Sequence, residues 1–189
     1  GIFFNSSARG LAGQTNNVNN NTFKNVKKSA ILVEWATPQY GIKDAIYNFN
    51  KAIELDENIA EAYAGIGFIF CEENNHQSAI KFLKRAHTLA PYNTDYIYVL
   101  VEEHNKMEKF KTSLKYLKEI EELFPYDVNL YIAYMEVYIL LDDVKNAIRY
   151  IEKGLKLLGR QASLLYRLAF INFVDEDFEL GMLNLEEAL

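Results

Sequence analysis

The chain is short of the residues that cross-linked, metal-bound or loop-rich folds need. Cys71 is the single cysteine among 189 residues, which excludes an internal disulfide and leaves no cysteine spacing for a metal site. Three prolines and nine glycines argue against a loop-rich fold. The three histidines, His76, His87 and His104, include no pair at the i, i+4 spacing of a helical metal site. Glu102-Glu103-His104 resembles acid–base machinery, but adjacent helical residues point to different sides. No apolar run approaches the ~18 residues that span a bilayer, and Gly1 to Phe4 is too short for the core of a secretory signal. Acids outnumber Lys and Arg by 26 to 20, for a net charge of −6. A nucleic-acid partner is therefore not expected, since clustered cations drive that binding. Gly65 and Gly67 follow no strand and precede no Lys-Ser/Thr pair, so they read as close helix packing rather than a phosphate loop. The expectation is a chain with no catalytic residues, no metal, no cofactor and no membrane insertion. The compartment is left open, with the cytoplasm slightly favoured.

What is present is apolar surface in a repeating order. Half the residues are hydrophobic, and the abundant Ala, Leu, Lys and Glu favour helix. Ala45, Ala79, Ser113, Ala147 and Gly181 recur every 34 residues, as do Leu55, Leu89, Leu123 and Leu157. Such a period signifies one two-helix unit copied along the chain. If Val26, Ala60, Thr94, Val128 and Ala162 each open a unit, then positions 4, 7, 8 and 11 hold the spacing of one helical face. In the second unit these are Tyr63, Ile66, Gly67 and Phe70; in the fourth they are Tyr131, Tyr134, Met135 and Tyr138. Positions 21, 24 and 27 mark the apolar face of a second helix, as in Ile80, Leu83 and Ala86.

The predicted helix pairs are 26–37 with 42–55, 60–73 with 76–89, 94–107 with 110–123, 128–141 with 144–157, and 162–174 with 178–189. Asn75, Asp143 and Asp177 stand where an N-cap is wanted. Pro91 and Pro125 follow helix ends, whereas Pro38 cuts the first helix short. Small residues at position 20 let the paired backbones approach, and the leucine row is expected to be buried between units. Residues 1–25 differ: an asparagine-rich tract with few apolar residues reads as an arm or linker.

Tyr63, Ile66-Gly67, Phe70, Ala79, Leu83, Ala86 and Pro91 reproduce the pattern of a tetratricopeptide repeat, and the chain resembles that family over 26–189. The resemblance implies an all-α, right-handed α-α superhelix of about five helix-turn-helix units: 26–59, 60–93, 94–127, 128–161 and a truncated 162–189. It also implies a concave groove lined by positions 2, 5, 9, 12 and 13 of the first helices. In this sequence the candidate partner-binding residues are Glu61, Ala64, Phe68, Glu72, Asp95, Tyr98, Glu102, Ile132, Glu136, Ile139, Tyr166, Phe170 and Phe173. Lys27, Ala30, Glu34, Thr37, Pro38, Cys71, Asn105, Lys106, Asn129, Leu140, Ser163 and Val174 occupy other groove positions.

Two consequences follow from the resemblance. The Lys and Asn that clamp a partner's C-terminal carboxylate in chaperone-binding members are absent: Ala64, Tyr98, Ile132 and Tyr166 hold the fifth positions, and Phe68, Glu102, Glu136 and Phe170 the ninth. Six acids (Glu34, Glu61, Glu72, Asp95, Glu102, Glu136) face two bases, Lys27 and Lys106, and the groove grows more apolar toward its C-terminal end. The expected partner is a protein or peptide segment with basic and apolar residues. The expected role is a non-catalytic interaction module or assembly scaffold; the alternative is the regulatory or substrate-docking region of a larger enzyme or multidomain protein. The last helix carries no polar cap, so self-association through that end is a further expectation.

Overall fold

A computed structural model describes residues 42–189. The asparagine-rich arm, the predicted helix 26–37, Pro38, Lys27, Ala30, Glu34 and Thr37 lie outside the described residues. Among those described there are nine helices and no strand: α1 (Ile42–Leu55), α2 (Ala60–Glu72), α3 (His76–Leu89), α4 (Thr94–Lys106), α5 (Phe110–Leu123), α6 (Val128–Leu140), α7 (Val144–Leu158), α8 (Ala162–Val174) and α9 (Phe178–Ala188). Each bound falls within a residue of its prediction. The chain divides into two compact units, Gly1–Tyr96 and Ile97–Leu189, with the boundary inside α4.

The turn within each helix pair has one recurrent geometry. Among the described residues, Asn74, Glu108, Asp142 and Glu176, spaced 34 apart, are the non-glycine residues with positive φ, at 55°, 56°, 58° and 62°. Each lets the following amide bond back to a carbonyl in the last turn: Asn75 N to Phe70 O at 2.9 Å, Lys109 N to His104 O at 2.8 Å, Asp143 N to Tyr138 O at 2.8 Å, and Asp177 N to Asn172 O at 2.9 Å. This Schellman closure satisfies carbonyls that the helix end leaves open. The next residue starts the second helix. Asn75, Asp143 and Asp177 side chains accept from the amides of Ser78, Asn146 and Leu180 at 3.1–3.2 Å, as their cap positions predict. Helix end, reversal and helix start thus occupy three residues.

Packing follows the small-residue row. Ala45, Ala79, Ser113, Ala147 and Gly181 are all buried, and the Ser113 hydroxyl donates to Val101 O at 3.3 Å. In the first compact unit, Ala45, Phe49, Ala62, Ile66 and Ile69 form a core. A Cβ on Gly65 would lie 2.3 Å from Phe49 Cζ, and one on Gly67 would lie 2.8 Å from Leu83 Cγ, so both glycines are close-approach positions. In the second compact unit, Ile97, Val101, Leu117, Ile120, Leu130, Tyr131 and Ile151 belong to one continuous core. Stacking of pairs that could not bury both faces alone accounts for that continuity.

Positions 11 and 23 of a unit form a ring pair across the two helices. Phe70 stacks on Phe82 at 5.6 Å, His104 on Tyr116 at 5.7 Å and Tyr138 on Tyr150 at 5.3 Å between centroids. His104 is therefore a core ring. In the last unit both rings are replaced by amides, Asn172 and Asn184, which are buried with their Nδ2 atoms unpaired.

The leucine row departs from expectation. Leu89 is half-buried, while Leu55, Leu123 and Leu157 are 89%, 46% and 42% exposed. At 3.6 residues per turn, position 30 is rotated roughly 80° from position 20. It lies in the last helical turn, off the seam made by positions 20, 24 and 27. On the first helices, burial extends to positions 3 and 10. Ala62, Tyr96, Leu130 and Leu164 occupy position 3, and Ile69, Glu103, Val137 and Ile171 occupy position 10; all eight are buried. First helices are thus buried on two sides, and Glu103 stands in a slot that is aliphatic in the other described units.

Candidate partner-binding cleft

The second compact unit holds a cavity of about 610 Å3 lined by α4, α6, α8 and the first residue of α7. On its wall, Tyr166, Phe170 and Val174 follow one another at i, i+4 along α8 and are 60%, 62% and 68% exposed. Ile139 and Leu140 complete an apolar floor from the last turn of α6, with Met135 one turn earlier. The three lining helices end here, at Lys106, Leu140 and Val174. Three C-termini put negative dipole ends at the cavity and the N-terminus of α7, at Val144, puts one positive end there, a balance that favours cations.

The side-chain charges lie in pairs. Lys106 Nζ is 2.9 Å from Glu102 Oε1 and 3.0 Å from Glu103 Oε1. Desolvation pulls the Lys106 ammonium down, but bonding and attraction from both carboxylates outweigh it and hold the group above its ordinary value. Arg167 Nη1 stands 3.9 Å from Glu136 Oε1, beyond hydrogen-bond length. Desolvation raises the Glu136 carboxyl; Arg167 opposes and Glu102 adds to the rise. Asp175, at the C-cap of α8, also lines the cavity. Of the charged side chains that line the cavity, Glu102, Glu136 and Asp175 stand against Lys106 and Arg167, so acids exceed bases by one.

Of the predicted residues, Glu102, Glu136, Ile139, Tyr166 and Phe170 meet in this cavity, together with Asn105, Lys106, Leu140 and Val174. Three others in the same compact unit do not line it. Tyr98 donates its hydroxyl to Asp127 Oδ2 at 2.8 Å, the cap of α6. Ile132 packs against the core. Phe173 turns onto α9, where a Cβ on Gly181 would meet its Cδ1 at 2.5 Å.

In the first compact unit, Glu61 and Asp95 are half-buried and Glu72 is exposed. Burial pushes the Tyr96 phenol up, and the charges of Glu61 and Asp95 push it further. Ala64 and Phe68, expected to face a groove, are buried at 0% and 6% exposure. Both lie within the segment Ala62–Cys71, which offers no charged side chain and so favours burial over a solvated face.

Met135, Val144, Arg167, Ile171 and Asp175 line the cavity outside the predicted positions. Arg167 sits one residue past a groove position, and its long stem carries the guanidinium across to the cavity. A fixed-position reading passes over that reach.

Among the described residues no group of three His, Cys, Asp or Glu side chains could hold a metal, and no helix is long and apolar enough to cross a membrane. Glu102, Glu103 and His104 part company: the first lines the cavity, and the other two are buried.

No protein-family model matches the sequence, and no curated protein matches it. Solved structures do. MamA from Desulfovibrio magneticus RS-1 is 15% identical with a TM-score of 0.63, covering 86% of this chain and 94% of that one. Pseudomonas aeruginosa pilF is 18% identical with a TM-score of 0.63, covering 78% and 67%. YrrB, described as a TPR protein with an unusual peptide-binding site, is 22% identical with a TM-score of 0.56, covering 78% and 76%. Paired helices, the 34-residue register and these likenesses agree: the chain has the all-α tetratricopeptide-repeat fold.

Proposed function

We propose that this protein is a non-catalytic interaction module whose α4/α6/α8 cleft receives a segment of a protein partner carrying apolar and basic side chains. The observation that supports this reading is the exposed stripe Tyr166, Phe170 and Val174 beside an excess of acids. Single exposed apolar residues are ordinary on a protein surface, but a contiguous apolar wall around a cavity marks a binding surface. The likeness to YrrB, itself a peptide-binding protein by its description, supports the same class of partner. Apolar burial would supply affinity, and the acids would steer and orient the segment.

The test is capture of partner proteins on the immobilised chain, compared with a Tyr166→Ala/Phe170→Ala variant. Partners retained by the wild type and lost by the variant support the cleft. An unchanged set of retained proteins, with the variant folded, refutes it. A second contact surface is suggested by α9, whose Phe178, Met182 and Leu183 are exposed. Self-association through that face would show as a mass rising with concentration and reversed by Leu183→Glu.

A further inference from the structure

The two cations of the cleft are held in different ways. Lys106 is locked: two carboxylates contact it within 3.0 Å, and one of them, Glu103, is fully buried. Pulling Lys106 away would leave a buried carboxylate without its ammonium, a costly state. Arg167 is loose. Its 3.9 Å separation from Glu136 exceeds hydrogen-bond length, and both side chains are substantially exposed, at 38% and 54%. Exposed pairs of that kind contribute little, so a competing cation can displace one at little cost. Both residues line the cavity together with the Tyr166–Phe170–Val174 stripe. Glu136 is therefore the one acid of this cleft whose counter-ion is both present and exchangeable.

We infer that Glu136 is the seat for a basic side chain of the partner segment, and that Arg167 occupies that seat in the free protein as an internal competitor. This rests on the cleft reading above and adds a specificity rule to it. A lysine or arginine flanked by apolar residues replaces the guanidinium at Glu136, while its neighbours cover Phe170 and Ile139. An acidic segment would meet Glu102, Glu136 and Asp175 with nothing to offer them. Arg167 then acts as a filter: purely apolar segments gain nothing by displacing it, whereas basic ones recover what its departure loses. The locked Lys106 does not take part, because its release would expose the cleft to the cost of Glu103.

The experiment is selection of random displayed peptides on the whole 189-residue chain, followed by titration of the winners on purified variants. Selected peptides should carry Lys or Arg among apolar residues and lose binding on Phe170→Ala. For the best peptide, Arg167→Met should tighten binding about 2–5-fold, the fold-change that corresponds to an exposed pair. A norleucine-for-lysine version should be unaffected by Arg167→Met. Glu136→Gln should remove the preference for lysine over norleucine. If the winners are charge-neutral or acidic yet still depend on Phe170, the Glu136 seat is wrong and the cleft stands. If Arg167→Met weakens the basic peptide, Arg167 is a contact rather than a competitor, which also overturns the inference. If no winner depends on Phe170, the cleft reading itself fails.

Discussion

Glu103 offers a sharp test of how charge is tolerated inside this fold. It occupies unit position 10, filled elsewhere by Ile69, Val137 and Ile171, and it is fully buried. Its partner Lys106 occupies position 13, where the next two units have Leu140 and Val174. Removing only the base, by Lys106→Leu, takes the ammonium away from a fully buried carboxylate. A fully buried pair broken in that way costs about 3–5 kcal/mol. The Lys106 side chain is 36% exposed, so solvent already screens part of the attraction, and about 1–3 kcal/mol is expected. Removing only the acid, by Glu103→Val, copies the fourth unit and leaves Lys106 with Glu102 at the surface; the change should be neutral or stabilising. The double variant Glu103→Val/Lys106→Leu should be at least as stable as the wild type, with a gain of up to about 2 kcal/mol. Urea unfolding followed by circular dichroism measures all four proteins, with midpoints compared at constant slope. The reasoning fails if Lys106→Leu costs under about 0.5 kcal/mol, the level of an ordinary surface change. It also fails if the double variant is no more stable than Lys106→Leu alone.

Further outcomes follow from the same structure. Glu108→Gly, at φ 56°, should stabilise by about 0.5–1 kcal/mol because glycine meets no Cβ penalty there, whereas Lys115→Gly inside α5 should destabilise by about 1 kcal/mol; thermal melts decide the signs. Leu117→Ala, at a fully buried position, should cost about 2–5 kcal/mol, while Leu123→Ala should cost well under that; equal losses would put the seam in the wrong place. Asn172→Tyr with Asn184→Tyr, copying the Tyr138–Tyr150 stack, should stabilise the last pair by about 1–3 kcal/mol through a ring contact and removal of two unpaired amides, and should slow amide exchange in α9. Desolvation raises the Glu121 carboxyl, but hydrogen bonds from Lys153 and Tyr134 outweigh it and hold the group below its ordinary value. Its contribution is therefore full above the unfolded value of about 4.3 and is lost as pH falls through the folded value. Glu121→Gln should accordingly show a shallower loss of stability below that pH; an unchanged acid limb would contradict the bonding.

The 34-residue register was legible because it is local. Helix starts at Asn75, Asp143 and Asp177, the small residues from Ala45 to Gly181, and the stops before Pro91 and Pro125 are written in short-range chemistry that one unit repeats. The cleft was legible in outline for the same reason: Glu102, Glu136, Tyr166 and Phe170 sit at positions that a stacked first helix must present. Three features needed the packed chain. Leu123 and Leu157 look like core residues by type, but their angle around the helix takes them off the seam. Ala64 and Phe68 hold groove positions, yet they lie in the uncharged stretch Ala62–Cys71 of α2 and are buried. Arg167 lies beside a groove position, and only three-dimensional reach shows its guanidinium near Glu136. Period and composition determine which residues share a helix face; which of those faces stays open, and which charge meets which, depends on neighbours brought together by stacking.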